Sequence, residues 1–438
     1  MRQLFLLSLV LAIPALAMPA APLSAQDPIP AELANYVARP EPEYGWRKVH
    51  SRRVMGTTEH RLLLTSQTWQ GITWKHYLQI FEPNRLEETG KILLFVTAGN
   101  TGEVPSVSYD FMGAGAAKHT GARIAILHQV PNQPLLGNHV EDDLITESWL
   151  RYLKTGDANW PLLLPMVKSA VKAMDALEEF VAGSSDHEVD GFVITGASKR
   201  GWTSWLAPSV DERIIATAPV VIDVLNFRPQ MIGQLNSWGE FSEQIQDYTN
   251  KGLVKLENES ELETRLRIMM DPYTYHREVG IPKLMVIATN DRYWVIDSLN
   301  IYWDELVGPK SVSYVPNTGH SLSGELVPVM KTISAFFKRV VSDQPMPAFN
   351  WKHDDHEGGY RLTITGQDLP RSARLWTAHS ESLDFRDARW IPRRLRKLDG
   401  TITAEVPKPR SGHVAFYTTL SFRDGNLRYN LSTQIRRE

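Results

Sequence analysis

Ser198, Asp291 and His320 are the side chains whose types and order could carry out acyl transfer. Ser198 lies in Gly196-Ala197-Ser198-Lys199-Arg200-Gly201, directly after the apolar run Gly191-Phe192-Val193-Ile194-Thr195. A buried strand that breaks at Gly-x-Ser and turns into a helix exposes a serine hydroxyl at a sheet edge. A serine alone is a poor nucleophile and needs a base, which in turn needs a carboxylate to orient it. Asp291 follows a second apolar run, Lys283 to Ala288, and His320 follows a third, Val312 to Val315. Asp291 is the reading for the acid, because its carboxylate must hold the imidazole tautomer. Asp223, after Ile215 to Ile222, and Asp297 compete with it, although Asp297 is expected to cap a helix through Trp303 to Leu306.

The oxyanion formed during acyl transfer needs preorganised donors, worth about 3–4 kcal/mol each. The Lys199 amide is one expected donor. The second is expected from the loop Ala98-Gly99-Asn100-Thr101-Gly102, with Gly99 and Asn100 as its candidates. The Lys199 ammonium would add to these if it points inward. Glu141 and Asp142 form a carboxylate pair suited to holding the free amine of a peptide substrate; the competing reading is a solvated acidic helix start. Lys199 or Arg200 would instead meet the carboxylate of a uronate ester. Trp238, Tyr293 and Trp294 are candidate pocket walls. The tract His353-Asp354-Asp355-His356-Glu357 reads as a solvated turn rather than a metal site. This chemistry requires no metal or organic cofactor.

These residues must be positioned by a sheet. Arg61 to Ser66 and Thr73 to Phe81 read as an antiparallel pair, and Ile92 to Thr97 and Arg123 to His128 as strands covered on both faces. Asn159-Trp160-Pro161 opens a long helix with an apolar stripe from Val167 to Val181, capped near Gly183. Alternating strands and helices imply a doubly wound, mostly parallel sheet of the α/β class. Ser, then Asp, then His is the chain order of α/β-hydrolases. Residues 223–280 break the alternation and read as a helical cap insertion, with a capping box at Ser260 to Glu263. The last helix is expected over Leu322 to Val341, followed by a proline-bearing linker, Asp343 to Asn350. Beyond it, short alternating strands with Asp399-Gly400 and Asp424-Gly425 turns suggest a small all-β, sandwich-like module over 351–438.

A chain of 438 residues, 42% hydrophobic and 22% charged, is globular and long enough for two domains. A formal charge of -3 gives no electrostatic case for nucleic acid or an anionic membrane. There are no cysteines, which excludes disulfides and lipoprotein-type lipidation. Arg2, the apolar stretch Leu4 to Leu16 and small residues before Ala17 and Ala25 read as a signal peptide over 1–25. The expected mature protein is periplasmic or secreted, without a membrane span, its hydrolase-type domain running over 26–342.

Several stretches resemble the PhoPQ-activated pathogenicity-related family of secreted proteins. They are Gln129-Val130-Pro131-Asn132-Gln133-Pro134, Glu141-Asp142, Trp160-Pro161-Leu162 with Met174-Asp175, and the Ser198-Lys199-Arg200-Gly201-Trp202 segment. That resemblance implies an α/β-hydrolase domain with a C-terminal β module and leans towards peptide substrates. The chain departs from it at Thr97-Ala98-Gly99-Asn100, where an Asp-Gly-Gly-type turn is expected. The serine turn also resembles the Gly-x-Ser-Arg-x-Gly turn of glucuronoyl esterases. The resulting expectation is a serine hydrolase acting on a small peptide or ester, with an aminopeptidase or dipeptidyl peptidase ahead of a glucuronoyl-type esterase. A non-catalytic signalling or binding protein on the same fold is the third reading.

Overall fold

The computed structural model describes residues 29–370 and 372–438; the signal-peptide reading over 1–25 lies outside them. After a short helix, α1 (Glu32–Ala38), three long antiparallel strands follow: β1 (Gly45–Val54), β2 (Thr57–Trp69) and β3 (Ile72–Pro83). The alternating part then runs β4 (Glu88–Val96), α2 (Val107–Thr120), β5 (Ala122–Leu127), α3 (Glu141–Thr155), α4 (Leu163–Ala182), β6 (Gly191–Ala197), α5 (Lys199–Leu206) and β7 (Ile214–Val220). Helices α6 (Phe227–Trp238), α7 (Gln246–Thr249) and α8 (Glu261–Met270) intervene before β8 (Lys283–Ala288), β9 (Lys310–Val315) and α9 (Leu326–Val341).

The strands lie side by side as β1-β2-β3-β5-β4-β6-β7-β8-β9, parallel from β5 onward. β5 and β8 are buried at every position, and β6 at every position except Ala197, because helices cover both faces. This is the α/β-hydrolase arrangement. The three sequence-read residues stand just past the C-terminal ends of β6, β8 and β9, where parallel sheets of this class bind ligands.

The C-terminal strands are β10 (Asn350–His356), β11 (Gly359–Thr365), β12 (Ser372–Ser380), β13 (Ile391–Leu398), β14 (Thr401–Pro407), β15 (His413–Asp424), β16 (Leu427–Ser432) and β17 (Arg436–Arg437). One layer pairs β10 with β11 and β11 with β14; the other runs β13-β12-β15-β16. Leu362, Ile364, Leu375, Ile402, Phe416 and Leu420 fill the space between them. β16 also meets β9 at Ser432 and Val312, which joins the second layer to the edge of the hydrolase sheet.

β1, β10 and β13 are strands without an expected counterpart. β1 and β13 are rich in arginine and mostly exposed, so no apolar alternation marks them. α9 starts at Leu326 rather than Leu322, whose φ of 52° is incompatible with a continuous helix. Ser260 and Glu263 do form the reciprocal capping box at the start of α8. Among the described residues, no helix is long and apolar enough to cross a membrane.

Candidate active site

Ser198 connects β6 to α5 with φ 58° and ψ -127°, a sparsely populated conformation for a residue with a side chain. Its flanking glycines are required by contact. A Cβ on Gly196 would lie 2.6 Å from the carbonyl oxygen of Arg200, and one on Gly201 would lie 2.5 Å from Ile222 Cγ2. Strand and helix therefore pack backbone to backbone, and the serine projects from the tip of the turn.

Ser198 Oγ lies 2.7 Å from His320 Nε2, and His320 Nδ1 lies 2.8 Å from Asp291 Oδ2. An ionised carboxylate only accepts, so Nδ1 carries the proton and Nε2 is left to accept from the serine. The other carboxylate oxygen of Asp291 accepts the amide of Tyr293 at 3.0 Å. The Tyr293 ring lies against the imidazole, with centroids 4.4 Å apart.

The competing carboxylates face elsewhere. Asp223 accepts from the Tyr302 hydroxyl, its other oxygen meets no hydrogen-bond donor at full geometry among the described residues, and burial pushes its carboxyl up to about 7. Asp297 does not cap a helix: its side chain makes no cap hydrogen bond and instead meets Arg437 Nε at 3.2 Å.

Lys199 and Arg200 are held against Glu141 and Asp142 at the start of α3. Arg200 makes a two-pronged contact with Glu141 at 2.7 and 2.8 Å and also donates to the Val130 carbonyl. Burial alone would raise the Glu141 carboxyl, but Arg200 and then Lys199 bring it down to about 2. Asp142 receives Lys199 Nζ at 2.7 Å and the hydroxyls of Tyr248 and Tyr293 at 2.9 and 3.0 Å. The Lys199 ammonium points inward, and Asp142 neutralises it. The acidic pair is thus the counter-charge of the two cations that follow the serine, rather than a solvated helix start.

A pocket beside Ser198 and His320 is lined by Asp142, Lys199, Tyr293 and Trp294 and by the apolar side chains of Trp149, Trp202, Phe227, Met231 and Leu266. The inserted helices α6 and α8 supply several of these, so the segment covers the site. The charges on the far wall are paired as well: Arg228 and Arg267 with Glu259, and Lys255 with Glu263. Trp238, read as a wall, does not border this pocket; its ring carries the Arg386 guanidinium at 4.3 Å. Trp149 and Trp202 were not anticipated, yet the signal was present. Trp202 is one helical turn beyond Ser198, and Trp149 is two turns beyond Asp142 on the same face of α3.

The loop after β4 runs beside the serine turn, because Val96 pairs with Gly196 in the parallel sheet. Thr97 is fixed by its amide to the Leu127 carbonyl at 2.8 Å, and its own carbonyl accepts from Val130. Ala98 borders the same groove as Ser198, and no acceptor among the described residues meets its amide. The Asn100 amide is taken by Glu103 at 3.3 Å, and Gly99, at φ 138°, packs on Gln129. Lys199 is the first residue of α5, so its amide has no acceptor one turn back along the helix.

The site therefore holds a serine hydroxyl within hydrogen-bond distance of an imidazole that a carboxylate orients, with amides beside it, in a pocket whose charged side chains are paired among the described residues. No group of acidic or histidine side chains among the described residues is arranged to hold a metal ion, the His353 to Glu357 tract included.

Acetyl xylan esterase 1 from Thermoanaerobacterium superposes on this chain with a TM-score of 0.49 at 16% identity, over 72% of this chain and 95% of that one. Glucuronoyl esterase from Solibacter usitatus superposes with a TM-score of 0.43 at 14% identity, over 71% and 91%. Autocrine proliferation repressor protein A of Dictyostelium discoideum is 32% identical over 421 residues, covering 88% of this chain and 84% of that protein. A family model for the PhoPQ-activated pathogenicity-related protein matches residues 33–386. The chain belongs to the PhoPQ-activated pathogenicity-related protein family.

Proposed function

We propose that this chain is a serine hydrolase that cleaves the carboxylic ester of an uncharged, largely apolar substrate. The observation that carries the reading is the run of contacts from Ser198 Oγ to His320 to Asp291, at 2.7 and 2.8 Å. In the first step Ser198 Oγ bonds to the carbonyl carbon while its proton passes to His320 Nε2. The amides of Lys199 and Ala98 hold the resulting oxyanion. Collapse breaks the bond to the leaving oxygen, which takes the proton from His320. Water, deprotonated by the same imidazole, then releases the acid and regenerates the serine.

The preference for a neutral substrate rests on charge. An amine-anchoring peptidase needs a free carboxylate, yet Glu141 and Asp142 are spent on Arg200 and Lys199. A uronate esterase needs a free cation, and the same pairs consume both. The aminopeptidase or dipeptidyl peptidase reading keeps one support: Asp142 borders the serine pocket, so an amine that displaced Lys199 would find a carboxylate there. Residues 1–25, read as a signal peptide, would place this chemistry in the periplasm or outside the cell.

The test is a panel of p-nitrophenyl esters, dipeptidyl coumarins and a methyl glucuronate ester, each with a Ser198→Ala control. Turnover of neutral esters that vanishes in the control is expected. Turnover of the dipeptidyl substrate alone would sink the ester reading in favour of the peptidase.

A further inference from the structure

Ser198 stands between two hollows, and His320 borders only one of them. The first is the pocket already described. The second is a groove between α2 and α9, walled by Thr97, Ala98, Tyr109, Met112, Ala116 and Met330 and reaching Ser198 at its inner end. Its mouth carries Phe111, Leu326 and Val327, which are 59%, 57% and 63% exposed. Large apolar side chains clustered at the mouth of a groove mark a binding site for an apolar group. Charge is nearly absent inside: His119 and Lys331 are exposed at the rim, and Arg200 is committed to Glu141.

The two hollows cannot play the same part in acyl transfer. The leaving group must take a proton from His320 Nε2, so it lies in the hollow that His320 borders. The attacked carbon bonds to Ser198 Oγ and turns its oxygen towards the amides of Lys199 and Ala98. With the leaving group in that hollow, the groove is the other space at Ser198 left for the remaining substituent of the attacked carbon. We propose that the groove between α2 and α9 is the acyl-binding site and takes an extended apolar acyl chain, while the leaving alcohol occupies the pocket under α6 and α8. This rests on the serine hydrolase reading above.

Gly115 of α2 supplies the test. It lines the groove, and a Cβ there would meet no heavy atom within 4 Å. It also sits inside a helix, where glycine is a poor former, so a larger residue is compatible with the fold. Gly115→Trp should lower the ratio of kcat/KM for p-nitrophenyl octanoate to that for p-nitrophenyl acetate by about tenfold or more. Met231→Trp, in the other hollow, should instead change the ratio between octanoate esters of a bulky and a small alcohol. Labelling of Ser198 by a fluorophosphonate separates the two levels of the account. A folded wild-type chain that is not labelled overturns the reaction and this assignment together. A chain that is labelled but inert to octanoyl esters, or whose acyl ratio responds to Met231→Trp and not to Gly115→Trp, overturns the acyl groove alone.

Discussion

Tyr293 touches His320 with its ring, 4.4 Å between centroids, and holds the partner of His320 with its amide, 3.0 Å from Asp291 Oδ1. One residue thus fixes both the face of the imidazole and the carboxylate that orients it. The backbone contact is open to any residue but proline, so the ring's share can be measured separately. Tyr293→Phe keeps the ring and should lower kcat little. Tyr293→Ala removes an aromatic contact worth about 1 kcal/mol, and kcat should fall roughly fivefold. Equal losses in the two variants would show that the hydroxyl on Asp142, not the ring, matters.

Lys199 and Asp142 are both nearly buried, so removing the Asp142 charge leaves the Lys199 ammonium with only Glu141, at 3.6 Å and already bound by Arg200, to offset it. Asp142→Asn should cost about 3 kcal/mol of stability. It should also free Lys199 to meet an anion, raising activity on a carboxylate-bearing ester relative to a neutral one. The double variant Asp142→Asn, Lys199→Met should recover part of the stability and lose the gain for anions. Denaturant unfolding with matched neutral and anionic esters checks both effects.

Asp223 predicts a pH dependence. Its folded carboxyl titrates near 7, whereas an unfolded aspartate titrates near about 4. Below about pH 4 both states hold the proton and the group costs nothing. Between about pH 4 and 7 only the unfolded chain gives it up, so stability falls as pH rises through that window. Asparagine cannot ionise. Asp223→Asn should therefore gain on the wild type with rising pH, by on the order of a few kcal/mol at pH 8. Melting temperatures of the two proteins at pH 4.5, 6 and 8 test this, and a constant difference would contradict it.

Gly201 predicts a packing effect. Gly201→Ala places a methyl group 2.5 Å from Ile222 Cγ2 and 2.8 Å from the Gly196 carbonyl oxygen, and neither lies on a long flexible side chain. The expected loss is about 1–3 kcal/mol, read as a lower melting temperature, with slower turnover because the serine turn must shift. An unchanged melting temperature would show that this turn tolerates a wider approach.

The meeting of Ser198, Asp291 and His320 was legible because each follows a short apolar run, and parallel strands bring their C-terminal ends to one rim. The pocket was less so. Tyr293 and Trp294 lie two and three residues after the acid, and chain position places them. Trp238 is a different case: its ring packs under Arg386, distant in the chain, and does not border the pocket. The pairing of Glu141 and Asp142 with Arg200 and Lys199 is likewise a tertiary fact, since nothing in either segment names its partner. The arginine-rich strands β1 and β13 were hidden because their stability comes from ladder pairing rather than from an apolar face.

A nucleophilic Ser198 is tested most directly by reaction with a fluorophosphonate, the adduct being mapped by mass spectrometry. One adduct is expected, on Ser198, absent from Ser198→Ala and formed about a thousandfold more slowly in His320→Ala. A folded wild-type chain that stays unlabelled, or that carries its adduct on another residue, would contradict it.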